Sequence, residues 1–62
     1  MKFEVTINCD NAAFGEDTMS RLEEVAQILK TLSRHLKKTY ATCGPLRDLN
    51  GNVVGQYRLL RE

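Results

Sequence analysis

One histidine, one proline and two cysteines are all that these 62 residues contain of three informative residue types, and each scarcity excludes something. With His35 alone, no histidine-based metal cage can form within one chain. Cys9 and Cys43 are too few for a disulfide framework and are expected to be free thiols of a reducing compartment. No apolar run is long enough to span a bilayer. A signal peptide requires a continuous apolar stretch behind its basic start. Met1-Lys2-Phe3-Glu4-Val5 alternates instead, so a cytoplasmic location is expected. Charge imbalance is missing too. Nine basic and eight acidic side chains leave a formal charge of +1, too weak a field to attract nucleic acid or membranes without a local cluster.

What remains is an ordinary globular composition, 42% hydrophobic and 27% charged, in one small domain over residues 1–62. A chain this short buries a thin core, and such chains often lean on a partner subunit. Phe3, Val5, Ile7 and Cys9 alternate with Lys2, Glu4, Thr6 and Asn8, the period of a half-buried strand. Asp10-Asn11 ends it, and Phe14 is placed to fold back over one end of the core. From Thr18 to Lys38 the period lengthens. Met19, Leu22, Val25, Ala26, Leu29, Leu32 and Leu36 recur at three- and four-residue steps, predicting an amphipathic helix with Ile28 at the margin of its stripe. Asp17 suits the N-cap, with Ser20 and Glu23 as a later alternative. Lys37 and Lys38 complement the negative end of the helix dipole.

Residues 39–44 are weakly patterned. Pro45 cannot donate to a ladder and suits the start of an edge strand. Asp48-Leu49-Asn50-Gly51 predicts a type I turn with Gly51 in a left-handed bulge and Asp48 opposite Asn52. Val53 to Leu60 forms the last strand, in which Gly55 signals a second bulge or a close backbone approach. With a bulge, Val54 and Tyr57 share the core face. Without one, Val53, Tyr57 and Leu59 oppose Val54 and Leu60, and the pattern leaves both arrangements open. The expected fold is α+β, in the order βαββ. One helix packs on a three-stranded sheet of order 1-3-2, with Cys9 and Cys43 at opposite ends.

Chemistry-bearing patterns are few. Asp48, Asn50 and Asn52 have the alternating spacing of a calcium loop, but Val53 and Leu59 stand where its glycine and bidentate glutamate belong. The segment reads as a bend, with no metal. Glu16-Asp17 and Glu23-Glu24 are adjacent in sequence, so neither pair faces itself across a helix as an acid/base couple would. A nucleophilic pairing of Cys43 with His35 has no oxyanion motif beside it. No phosphate loop or cofactor fingerprint occurs, and neither an enzyme nor a cofactor is expected.

The opening KFEVTINCDNAAF and the closing LRDLNGNVVGQYRL together resemble small uncharacterised proteins of bacteriophages, prophages and related mobile elements. The shared residues are turn formers and strand alternation. The resemblance therefore implies a genetic setting, in which small proteins frequently bind and block or redirect a host protein, and assigns no functional residue. Two binding classes follow. One is a non-catalytic protein-binding module, with Ile28, Tyr57 and Leu60 as the candidate surface and a second copy of the chain as a further expected partner. The alternative is a nucleic-acid binder using Lys30, Arg34, Lys37, Lys38 and Arg58, provided that the helix and hairpin cations share a face.

Overall fold

The computed structural model describes residues 1–61. Strand β1 (Lys2–Ile7) leads through a single 3₁₀ turn (Ala12–Phe14) to helix α1 (Thr18–Thr39), then to β2 (Cys43–Arg47) and β3 (Val53–Leu60). The long last strand is central, antiparallel to both neighbours, which gives the order 1-3-2 expected from the sequence. β1 stops at Ile7, short of the apolar alternation, because the Asn8 side chain accepts the Asp10 N–H at 3.0 Å and turns the chain. β2 begins earlier than its patterning suggested. The Leu59 N–H donates to the Thr42 carbonyl at 2.7 Å and draws that stretch onto the sheet.

Helix α1 starts at the expected cap, where the Asp17 carboxylate accepts the Ser20 N–H at 2.7 Å. It ends at Tyr40, whose N–H still makes the helical bond to the Leu36 carbonyl at 2.9 Å while its left-handed backbone (φ 55°) turns the following chain out of the helix.

The rotation of α1 about its axis corrects the sequence reading. Glu24, Ile28 and Leu32 face the sheet, while Met19, Leu22 and Leu29 are exposed. Apolar residues occupy an arc of α1 wider than the thin sheet can cover, so periodicity alone did not select the buried half. A hydrogen bond does. The buried Glu24 carboxylate accepts the Leu49 N–H of the hairpin turn at 2.8 Å, and this fixes which face points down.

The core consists of Phe14, Ile28, Leu32, Leu46, Val54 and Tyr57. Phe14 closes one end as expected. A bulge resolves the alternation of the last strand. Leu46 lies opposite Gly55 but Arg47 opposite Val53, so Val54 is an extra residue and turns inward beside Tyr57. At Gly55 the chains come so close that a β-carbon would lie 1.8 Å from the Thr6 carbonyl oxygen.

Candidate interaction surface

The hairpin turn has the predicted form. Gly51 is left-handed (φ 85°), its N–H donates to the Asp48 carbonyl at 3.0 Å, and the Asp48 N–H donates to the Asn52 carbonyl at 3.0 Å. Both oxygens of the Asp48 carboxylate are engaged within the fold. One accepts the Asn50 and Asn52 N–H groups at 2.8 and 3.0 Å, and the other accepts the Asn11 side-chain amide at 2.7 Å. Burial of this carboxylate acts to raise its pKa. The Asn52 N–H, the Asn11 amide and the Asn50 N–H outweigh it and hold the group below the usual carboxylate range. Asn11 also accepts the Ala13 N–H at 2.9 Å, so one asparagine ties the 3₁₀ turn to the hairpin. Asp48 and Glu24 are therefore structural anchors.

Two faces of α1 flank its buried stripe. On one, Thr31 and His35 line a groove of about 300 Å³ with Pro45 and Leu46 of β2. By helical periodicity Leu22 and Leu29 form the other flank, on the β1 side, while Met19 and Ala26 lie opposite the buried stripe. There the sheet is only partly roofed. Phe3 pairs with Leu59 and Val5 with Tyr57, so these residues share the helix-facing side of the sheet. Yet Phe3, Val5 and Leu59, like Met19, Leu22 and Leu29, are between 38% and 72% exposed. Without Met19, which faces away from the sheet, the other five expose roughly 400 Å² of side chain, the size of an apolar patch that tends to be functional on a small monomer.

The candidate surface of the sequence reading is accordingly corrected. Ile28 and Tyr57 are 5% and 2% exposed and belong to the core. Leu60 is half-buried on the opposite, outer face of the sheet, across from Lys2. Tyr57 is buried deeply enough that its hydroxyl meets no hydrogen-bond partner among the described residues.

The cations divide. Lys30, Arg34, Lys37 and Lys38 are exposed and by their spacing lie away from the stripe of Glu24, Ile28 and Leu32. Arg58 is on the outer face of the sheet, ion-paired with Glu4 at 3.1 Å, so the helix cations and this hairpin arginine do not share a surface. Cys43, opposite Arg58, also points to the outer face, whereas the His35 ring meets Tyr57 edge-on beneath the helix at 6.3 Å. The sheet separates the thiol from the imidazole. Among the described residues, no three His, Cys, Asp or Glu side chains are grouped to hold a metal ion, and no helix is long and apolar enough to cross a membrane.

Comparison of the chain with protein families, curated proteins and solved structures returned no match. The open flank is thus characterised by its geometry alone. Its one sequence signal was the width of the apolar arc, with Met19, Leu22, Ala26 and Leu29 adding to an already sufficient Ile28 and Leu32.

Proposed function

We propose that this chain is a non-catalytic protein-binding module that engages its partner through the open side between α1 and β1. The observation that carries the reading is that five large apolar side chains on that side, Phe3, Val5, Leu22, Leu29 and Leu59, stay exposed on a molecule whose total surface is only 4800 Å². The resemblance to phage and prophage proteins supports a specific role, as a modulator or inhibitor of a host protein. The absence of catalysis is supported by the carboxylates and the imidazole. Glu24 and Asp48 are committed to backbone N–H groups, and His35 is on the far side of the sheet from Cys43.

The test compares the wild-type chain with a Leu22→Glu, Leu29→Glu double variant in affinity capture from bacterial hosts. Both substitutions fall on exposed positions, so the fold is retained, which circular dichroism checks. A protein retained by the wild type and lost by the variant supports the reading. Identical captures from both chains refute it.

A further inference from the structure

The two edges of the sheet are built differently. In an antiparallel ladder, successive residues of a strand direct their N–H and C=O groups to alternate sides. The Asn8 N–H donates to the Val54 carbonyl at 2.7 Å, so Glu4 and Thr6 also bond toward β3. Phe3, Val5 and Ile7 therefore aim their backbone donors and acceptors out of the free edge. That edge has no proline, no glycine and no bulge. On the other edge, the Leu59 N–H donates to the Thr42 carbonyl and Gly44 lies opposite Tyr57, which turns Cys43 and Pro45 outward. Pro45 brings no donor at the middle of that edge, where a further strand would need one. One edge is closed and one is open.

We infer that the β1 edge pairs with β1 of a second copy, across a two-fold axis at Val5, to make a six-stranded antiparallel sheet. The extent of β1, centred on Val5 among the outward-bonding residues, selects this register, and charge disfavours the one toward its start. With the axis at Val5, Glu4 lies opposite Thr6 of the second copy and Phe3 opposite Ile7, and Phe3, Val5 and Ile7 exchange about six hydrogen bonds. A shift that moves the axis to Glu4 sets that carboxylate directly against its own copy, which is destabilising. An axis at Phe3 leaves Thr6 and Ile7 unpaired. The pairing also keeps both helices on one side and brings the exposed Phe3 and Val5 side chains of the two copies together. Backbone edge and apolar side chains together bury on the order of 1,000 Å², the lower bound for specific association, so the dimer is held at micromolar strength or weaker. The two readings share Phe3 and Val5, but this inference rests on the backbone edge of β1, whereas the partner-binding reading is tested on the α1 flank at Leu22 and Leu29.

Sedimentation of the full chain from about 10 μM to 1 mM tests it, against two variants. Val5→Pro removes an outward N–H at an edge position where proline is compatible with the strand, so the fold is kept and the dimer is lost. Thr6→Lys places a cation opposite Glu4 of the second copy at two symmetric sites and tightens the dimer by about two- to tenfold. A wild-type chain that stays monomeric throughout the range overturns the inference, as does a folded Val5→Pro variant that still dimerises. Should Val5→Pro unfold, Thr6→Lys decides: tighter association supports the pairing, and unchanged or weaker association overturns it. The Leu22→Glu, Leu29→Glu variant leaves the β1 edge intact, so loss of partner capture and loss of dimer are separable results.

Discussion

Replacing Gly55 with alanine puts a methyl carbon 1.8 Å from the carbonyl oxygen of Thr6, 2.9 Å from its carbonyl carbon and 3.0 Å from the Ile7 α-carbon. All three are backbone atoms of β1, so no side chain can swing aside. Relief requires β1 to move away from β3 by more than an ångström. Ladder hydrogen bonds near 2.9 Å then stretch to about 4 Å, beyond any useful interaction. Two or three bonds are lost at about 1 kcal/mol each, and their buried donors and acceptors are left unsatisfied at a similar further cost. The total, about 3–5 kcal/mol, equals the whole stability that a core of this size supplies. Gly55→Ala is expected to be unfolded at 25 °C by far-ultraviolet circular dichroism. Gly51→Ala is the control, because Gly51 needs a left-handed backbone (φ 85°) but has open space around its α-carbon. Conformational strain alone costs about 1–2 kcal/mol, a fall in Tm of about 5–15 °C. If Gly55→Ala melts as high as Gly51→Ala in a urea or thermal titration, the close approach of β1 and β3 is wrong.

Three further expectations probe the core, the turn and the charged face. Tyr57→Phe deletes a buried hydroxyl without a partner among the described residues, so it should stabilise the fold by about 1–3 kcal/mol in urea titration; a destabilised variant would mean that the hydroxyl is satisfied. Asp48 has a folded pKa below its unfolded value, so its carboxylate adds stability above about pH 4 that is lost as the pH falls through the folded pKa. The Tm of Asp48→Asn should accordingly be lower at pH 7 and less steep between pH 5 and 2 (rough limits) than that of the wild type, and parallel curves would refute the network. Under the protein-partner reading, the chain should not bind DNA or RNA even in low salt. Binding that falls steeply with salt and is abolished by Lys37→Glu with Lys38→Glu would replace that reading with the nucleic-acid one.

The elements of this fold were legible because each had a local cause in the sequence. Alternation at Phe3, Val5 and Ile7, the Asp17 cap and the Asp48–Gly51 turn are all short-range patterns, and each has its counterpart in the structure. What escaped was set by contacts between distant residues. Glu24 binds Leu49 and Asn11 binds Asp48, 25 and 37 residues apart, and these bonds decide how the helix is rotated and how the crossover is anchored. Periodicity gives an apolar arc but not which part of it the sheet will cover. Ile28 was therefore taken for a marginal residue and proved central, while Met19 and Leu22 stood in the stripe and proved exposed. Tyr57 stood among the candidate surface residues because the pattern left the facing of its strand open; the bulge that Gly55 signalled lies beside it at Val54 and turns Tyr57 into the core.

Pro45 has a consequence for how many molecules can assemble. A ribbon with two receptive rims adds copies without end and grows into filaments, whereas one with a single receptive rim is exhausted after one addition. Substituting Pro45 with a residue that carries an amide hydrogen would restore a donor to the sealed rim, and so tilt a self-limiting pair toward open-ended polymerisation.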